Sequence, residues 1–239
     1  MSKIQLFYKY KNSKYGISLL KNCKLKVTRP IDLNDAYELI PYPMITKDLV
    51  KEAILFGPLK KKFIEGVNSN NTIIVTDDDL YDFYNKNQKN IDIMIQQKRL
   101  EIFNIINQTA INMSKYTAIY SLTTDPLNHL MWAHYADGFK GICIGLNFND
   151  FNYNTTRYKV KYSNKRPELT IGTLVNIDLM NKYIIDLMIT KSNCWEYEKE
   201  YRLLFNIDEK DQETNSLLID IQPQNISEIY FSIKTKTNT

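Results

Sequence analysis

The sequence predicts an α+β fold, in which a central, mostly antiparallel sheet carries a helical insertion at about residues 46–116. Two observations favour this class. Apolar residues recur at helical spacing within the insertion, and short strand patterns separated by short helices follow residue 117. No internal repeat, linker or low-complexity segment divides the 239 residues. We therefore expect a single domain spanning residues 1–239.

The chain before the insertion predicts two strands with a helix between them. The strands are expected at 5–10 and 24–28, and the helix at 14–21. Pro30 ends the second strand, because proline lacks the N–H that a strand neighbour needs. A polar loop follows at 32–35.

The insertion predicts helices. A helical stripe runs through residues 46–66 and is interrupted at Gly57-Pro58. Residues 72–76 predict a strand or a turn, and residues 77–116 predict one long helix or two in succession. The acidic run at 77–79 favours a helix N-terminus over a metal site, since the helix dipole attracts negative charge there.

The chain after the insertion predicts most of the sheet. Asp125-Pro126 is typical of a helix start. We expect helices at 125–137 and 177–190, and strands at 117–122, 141–147, 158–162, 195–205, 216–221 and 229–233. Residues 234–239 are expected to fray.

The composition is typical of a folded globular protein, with 44% hydrophobic and 24% charged residues. The 17 Tyr and 10 Phe supply flat side chains that suit the lining of a pocket. A formal net charge of +4 is too small to imply nucleic-acid binding by the whole surface. The basic residues between positions 157 and 166 either line a groove for an anionic ligand or form an exposed strand face.

The sequence also predicts a cytoplasmic protein without a membrane partner. Residues 1–5 lack the apolar stretch of a signal peptide, and no apolar run approaches the ~18–20 residues that span a bilayer. Cys23, Cys143 and Cys194 are odd in number and far apart, which favours neither a disulfide framework nor a zinc site. We expect no bound metal.

The first candidate functional motif spans residues 131–141. Trp132, His134 and Tyr135 fall within four consecutive positions of a predicted helix, and two glycines then allow a sharp reversal of the chain. His134 is either a hydrogen-bonded core residue or part of a polar pocket that its aromatic neighbours shape.

The second candidate motif spans residues 191–202. If residues 195–205 form a strand, alternate side chains point to opposite faces. Charged residues then share one face, namely Glu196, Glu198, Glu200 and Arg202. Carboxylates about 7 Å apart along a strand repel one another unless a cation or a ligand offsets them. Arg202 can pair with Glu200, and Lys191 could reach the same face. This face is therefore either an exposed, salt-bridged strand or the floor of a cleft ending at a buried Leu204.

These residues resemble a family of bacterial domains of unknown function. Its members open with an L-Y-K-Y-like strand, carry an F-N-D-P-F-E-like loop, and continue with S-x-T/S, M-W-x-H-Y-x-x-x-x-x-G and K-x-x-x-W-x-Y-E-x-E-Y-R. The corresponding segments here are residues 7–10, 33–38, 121–123, 131–141 and 191–202. Ala36 and Tyr37 replace the Pro and Phe of the loop, which keeps its polar pair, Asn34 and Asp35.

More distantly, the order of these parts is similar to the ADP-ribosyltransferase fold, so the resemblance implies a split sheet of that type. That fold has an opening strand with an aromatic and a basic residue, a middle strand ending in Ser, and a late strand bearing Glu-x-Glu. Such enzymes break the nicotinamide–ribose bond of NAD through an oxocarbenium-like state, which a carboxylate and fixed dipoles stabilise. Lys9 stands where these enzymes usually have Arg or His.

The resemblance implies an NAD-dependent ADP-ribosyltransferase or NAD-cleaving enzyme, for example a toxin-like or anti-phage effector. NAD would be its nucleotide substrate, and a protein or nucleic acid could be the acceptor. Glu200 would stabilise the ribosyl cation, Glu198 would orient the acceptor, and His134 would complete the catalytic set. The remaining candidates would hold NAD, namely Tyr8, Lys9, Tyr10, Asn34, Asp35, Ser121, Trp132, Tyr135, Lys191, Trp195 and Arg202.

Two other classes of function stay open. One is a metal-dependent phosphodiester hydrolase, in which His134, Glu198 and Glu200 hold a divalent cation. The other is a non-catalytic ligand-sensing or protein-binding module, in which the aromatic pocket binds and Glu198 and Arg202 form a structural ion pair.

Overall fold

The computed structural model describes residues 5–33, 76–149, 155–167, 176–208 and 217–235, together with positions 48, 51, 55, 60, 151, 153, 169 and 173. Contacts divide the chain into two compact units. The first contains Met1–Leu39, Ile111–Lys165 and Met188–Thr239, and the second contains Ile40–Ala110 and Arg166–Leu187. The predicted insertion therefore falls mainly in the second unit.

The first unit contains the sheet. In chain order the strands are β1 (Phe7–Lys11), β2 (Lys24–Val27), β3 (Thr117–Thr123), β4 (Ile142–Leu146), β5 (Thr155–Lys159), β6 (Lys161–Tyr162), β7 (Thr190–Lys191), β8 (Glu200–Asn206), β9 (Leu217–Asp220) and β10 (Ile226–Phe231). Six of them form one sheet in the order β10-β4-β1-β3-β8-β5, and every neighbouring pair is antiparallel. Strands β2 and β9 form an antiparallel pair, and β6 and β7 a short parallel pair. The predicted α+β class and mostly antiparallel sheet are thereby confirmed.

One face of the six-stranded sheet packs into the main hydrophobic core of this unit. Alternate strand residues point into it, including Phe7 of β1, Tyr120 of β3, Ile144 of β4 and Leu203 of β8. Helix α1 (Ser13–Asn22) adds Leu19, and β2 adds its two apolar residues. Each fully buried large apolar side chain contributes roughly 1.5–3 kcal/mol to folding. This core holds the strands that carry the candidate site.

The sheet opens between β1 and β3. Strand β1 pairs with β4 over its whole length, but it pairs with β3 only where Tyr8 lies opposite Thr123. Further along the same edge of β3, Ile119 exchanges two backbone hydrogen bonds with Thr28, at 2.7 and 2.9 Å. Between these two points the strands diverge and leave a gap at Ser121.

Helices of the chain follow most of the predicted pattern. Residues 77–116 form two helices, α2 (Asp77–Lys86) and α3 (Gln88–Tyr116). Thr76 and Asp79 cap α2 reciprocally, which confirms the helix-start interpretation of the acidic run. Positions 48, 51, 55 and 60 are helical, whereas Gly57-Pro58 and residues 72–75 lie outside the described residues. None of the described helices is both long and apolar enough to cross a bilayer.

The helix predicted at 125–137 is shorter than expected. Helix α4 (His129–Tyr135) begins after Asn128, whose side chain accepts hydrogen bonds from the Leu130 and Met131 N–H groups. Asp125 does not cap it, because its carboxylate accepts from the Leu127 N–H and pairs with Lys199 instead. The last helix, α5 (Ile177–Met188), also ends before the predicted residue 190, where β7 has already begun.

The strand predicted at 195–205 is the main error. Residues Asn193–Glu198 form a 3-10 helix, Lys199 is left-handed with φ of 45°, and β8 begins only at Glu200. Glu196 is consequently exposed, and Leu204 is half-buried rather than buried. Tertiary pairing explains the change, because β8 starts where Glu200 comes opposite Thr123 of β3.

Smaller corrections concern the remaining strands. The pattern at 158–162 divides into β5 and β6, and β10 starts three residues before the predicted residue 229. Arg157 and Lys159 are exposed on β5, an edge strand of the six-stranded sheet. For these two residues the strand-face interpretation of the basic cluster is confirmed.

Candidate functional site

A cavity of about 560 Å³ lies in the first unit, where β1 and β3 diverge. This volume is within the range of small-molecule sites. We call the part lined by Lys191, Glu198, Glu200 and Arg202 the carboxylate half. The part lined by Lys9, Lys11 and Lys26 is the lysine half.

The carboxylate half is a network of four buried charges. Lys191 Nζ lies 2.6 Å from Glu198 Oε2 and 3.2 Å from Glu200 Oε2. Arg202 holds Glu200 from the other side, with Nε 2.8 Å from Oε1 and Nη2 3.2 Å from Oε2, and Nη1 donates to the Met188 carbonyl. The four residues are between 1% and 6% exposed, so these are buried ion pairs.

Backbone geometry brings the two glutamates together. The left-handed Lys199 lies between the 3-10 helix and β8, and Glu198 and Glu200, on either side of it, both reach Lys191. The turn is fixed at both ends. Asn128 donates to the Tyr197 carbonyl at 2.9 Å, and the Glu200 N–H donates to the Tyr162 hydroxyl at 2.7 Å.

Electrostatics keep Glu200 ionised. Burial opposes its ionisation, but the charges of Arg202 and Lys191 outweigh burial and hold the pKa of Glu200 below its usual range. Hydrogen bonds from Arg202 and the Ser121 hydroxyl act in the same direction. A carboxylate held in this way remains an anion at neutral pH.

Helix α4 brings two predicted site residues to the cavity. The Tyr135 hydroxyl donates to Glu198 Oε1 at 2.6 Å, and burial together with this bond raises the pKa of Tyr135. His134 is exposed and lines the cavity, with its ring 6.3 Å from that of Tyr197. The interpretation of His134 as a core residue is therefore wrong.

The loop after α4 packs tightly on β1 at Gly141. A Cβ atom at this position would lie 2.1 Å from the Lys11 carbonyl oxygen and 2.9 Å from that of Ala136. The Gly141 N–H donates to the same Ala136 carbonyl at 2.7 Å. Only glycine permits this approach, which joins the helix carrying Tyr135 to the strand carrying Lys11.

The lysine half starts in the gap of the sheet. Lys9 Nζ donates to the Ser121 carbonyl at 2.5 Å and lies 4.8 Å from the centre of the Tyr120 ring. Burial, followed by the charge of Lys11, lowers the pKa of Lys9 to about 7. Burial and the charge of Lys26 likewise lower the pKa of Lys11.

Tyr8 and Tyr10 line the cavity from β1. The Tyr8 hydroxyl donates to Glu228 Oε2 at 3.1 Å, and the Tyr10 hydroxyl donates to the Asp125 carbonyl at 2.8 Å. Together with Tyr135 they present aromatic surface next to the carboxylate half, as the tyrosine-rich composition predicts.

Other predicted site residues lie elsewhere. Trp132 is buried, stacks edge-on against Tyr10 at 5.3 Å, and donates to the Pro126 carbonyl, so its role is packing. Trp195 is outside the cavity lining, with its ring 5.0 Å from Lys191 Nζ. Asn34 and Asp35 lie outside the described residues.

The sequence did not identify four residues of the site. Lys11, Lys26 and Thr28 line the lysine half, and Tyr162, outside the lining, accepts a hydrogen bond from the Glu200 N–H. The alternation in Lys24–Val27, with lysines on one face, is the local signal for Lys26. No local signal shows that this face borders the gap between β1 and β3.

Residues 131–203 match a family model described as Protein of unknown function (DUF2971). The match starts with the first motif and ends just after the second, so the resemblance to a domain family of unknown function is confirmed. No curated protein and no solved structure matches this chain. The likeness of the sheet to the ADP-ribosyltransferase fold therefore stays a prediction.

Proposed function

We propose that this protein is an NAD-dependent ADP-ribosyltransferase or an NAD-cleaving enzyme, with the nicotinamide ribose bound at the carboxylate half. One observation carries the proposal. Glu200, kept anionic by Arg202, Lys191 and Ser121, lies at the wall of a ligand-sized cavity in the split of the sheet. A fixed anion is what a cationic sugar needs in the transition state.

The reaction requires little proton transfer. The bond between ribose C1′ and the nicotinamide nitrogen breaks, its electron pair leaves with neutral nicotinamide, and positive charge develops on the ribose. Glu200 stabilises that charge, and water or an acceptor hydroxyl then adds to C1′ and releases its proton. Glu198, held by Tyr135 and Lys191, would orient the attacking group. Tyr8, which is half-buried, offers a ring for nicotinamide, and the buried Tyr10 supports the strand beside it.

The direct test is release of nicotinamide from NAD, followed by chromatography, with and without cell lysate. We expect Glu200→Gln to reduce release by roughly 100-fold or more, the effect of removing one charge-stabilising group from an active site. Glu196→Gln is the matched control, because Glu196 is exposed on the adjacent 3-10 helix. Its release rate should equal that of the wild type.

Loss of folding must be separated from loss of chemistry. Each variant is checked by circular dichroism, and Ser121→Ala provides a milder change that removes a hydrogen bond from Glu200 while keeping its charge. We expect an intermediate rate for this variant. Undiminished release by folded Glu200→Gln, or no release by the folded wild type, would refute the proposal.

A second candidate, a non-catalytic binding module, is favoured by one observation. Both oxygens of Glu198 and both of Glu200 already have protein partners. Arg202 contacts Glu200 and Lys191 reaches the same carboxylates, as the second motif predicts. NAD binding by the wild type without nicotinamide release would favour this candidate.

The geometry does not favour the metal-dependent hydrolase. Lys191 Nζ occupies the space between the two carboxylates that a divalent cation would need. Across the part of the chain that the structure describes, no group of three or more His, Cys, Asp or Glu side chains is arranged to hold a metal ion.

A further inference from the structure

We propose that Lys9, Lys11 and Lys26 form a subsite for a diphosphate group, so that the ligand extends from the carboxylate half through the gap in the sheet to the lysine half. The position of the sugar rests on the proposed function. Binding of the diphosphate does not, because it requires only the lysines.

The three lysines line one wall at different depths. Lys9 and Lys11 are half-buried and alternate along β1 with Tyr8 and Tyr10. The lysine side chains therefore point to the opposite face of the strand from the tyrosine side chains. Lys26 is exposed on β2. Lys9 donates to the Ser121 carbonyl at the gap, whereas Lys26 is an exposed part of the same lining, and this spread of positive charge suits an elongated anion.

These positive charges raise one another's free energy. Lys11 is the largest charge effect on Lys9, ahead of Glu200 and Glu198, and Lys26 is the charge acting on Lys11. Lys191 acts on Lys9 in the same direction as Lys11. A bound diphosphate would offset this repulsion and accept hydrogen bonds from the ammonium groups.

No described ion pair joins a carboxylate to Lys9, Lys11 or Lys26, although the charges of Glu200 and Glu198 act on Lys9. Asp32 and Asp137 also line the cavity, but both are exposed, and no described ion pair joins them to the three lysines. Lys24, on the same face of β2 as Lys26, is instead paired with Asp220 at 3.0 Å. The uncompensated positive charge of this strand therefore faces the cavity.

Diphosphate binding should take up protons. Lys9 has a pKa of about 7, so at pH 8 most of its amine is neutral in the free protein. A nearby anion favours the charged form and raises that pKa. Affinity should therefore fall as pH rises from 7 to 9, and binding at pH 8 should consume protons from the buffer.

Titration calorimetry with inorganic pyrophosphate tests this subsite. We expect Lys26→Gln to weaken binding roughly fivefold at low salt, about 1 kcal/mol, whereas the matched control Lys24→Gln should change it less than twofold. Titrations at pH 8 in Tris and in HEPES, which differ in ionisation enthalpy, should show proton uptake that Lys9→Met abolishes. Equal weakening in Lys24→Gln and Lys26→Gln, or no binding at all, would overturn the proposal.

The result is separable from NAD cleavage. Both measurements are made on the wild type, because pyrophosphate binding requires the lysines and nicotinamide release requires Glu200. Pyrophosphate binding without nicotinamide release would uphold the lysine subsite and refute the enzymatic proposal. Nicotinamide release with no pyrophosphate binding would do the reverse.

Discussion

The two halves of the cavity differ in how their charges are balanced. In the carboxylate half, two anions face two cations, and each carboxylate contacts a cation at 2.6–2.8 Å. In the lysine half, Lys9 contacts a backbone carbonyl and the face of an aromatic ring. Its two lysine neighbours have no ion pair among the described contacts.

This difference indicates that one half is preorganised without a ligand, whereas the other is stabilised by a ligand of opposite charge. Buried charges that neutralise one another hold their geometry whether or not a ligand is present. Clustered charges of one sign raise the free energy of the empty site, and a ligand of opposite sign lowers it. We infer that the carboxylate half fixes the orientation of groups, whereas the lysine half supplies affinity.

The largest effect is expected from a substitution that disrupts the carboxylate half. Arg202→Leu should lower the free energy of unfolding by about 3–5 kcal/mol, because it leaves a buried carboxylate without its main partner. Urea denaturation followed by circular dichroism measures the loss. Arg157→Leu, at an exposed arginine on neighbouring β5, should lose less than about 1 kcal/mol. Similar losses in the two variants would contradict the assignment of a buried network.

A smaller effect should follow from Tyr135→Phe, which removes a hydrogen bond of 2.6 Å to Glu198. A bond to a charged group contributes about 1.5–3 kcal/mol, and the acceptor here is buried, since Glu198 is 3% exposed. Tyr230→Phe removes the same kind of bond at 2.9 Å, but its acceptor Glu228 is only half-buried. The network would have to be revised if the thermal stability of Tyr135→Phe were no lower than that of Tyr230→Phe.

Lys9→Met should change how the free energy of unfolding depends on pH. The pKa of Lys9 falls from 10.5 to about 7 on folding, so between these values the unfolded chain holds more protons. The unfolding free energy of the wild type should therefore rise relative to that of Lys9→Met as pH increases from 7 to 8.5. We expect a relative gain of about 1–2 kcal/mol over this interval, since one pKa unit corresponds to about 1.4 kcal/mol. If the difference in unfolding free energy between the wild type and Lys9→Met, measured by urea denaturation, stayed constant over this pH range, Lys9 would not be desolvated.

The smallest effect is expected outside the cavity. Lys24→Gln breaks an ion pair with Asp220 in which both side chains are exposed. Such pairs contribute about 0.2–1 kcal/mol, and less in salt. A thermal shift close to zero in 0.5 M salt is the expected outcome. A large, salt-independent loss would mean that exposed pairs on β2 matter as much as the buried network.

Local patterns were sufficient for much of the fold. The apolar and aromatic runs that predict β1, β3 and β4 supply side chains to one core, and the strand boundaries differ from the prediction by only one or two residues. The acidic start of α2 is likewise a local effect of capping. In each case the residues that predict the element belong to that element or lie within a few residues of it.

The candidate site depends on longer contacts. The pattern at 195–205 alternates well enough to predict a strand, but the 3-10 helix and the left-handed Lys199 form because Tyr197 and Glu200 are held by Asn128 and Tyr162. The motif thus identified the correct carboxylates and the wrong backbone. Lys26 was missed because the divergence of β1 from β3 is a property of the whole sheet.

Gly141 gives the site a particular vulnerability to sequence change. The backbone of Lys11 and the loop behind Tyr135 meet there with no space for one additional carbon. A methyl group at this position would push apart the supports of both halves at once, although position 141 carries no chemistry of its own. A substitution at Gly141 could therefore abolish ligand binding even when every charged residue of the cavity is unchanged, because one added carbon would misalign an otherwise intact set of ligand-binding groups.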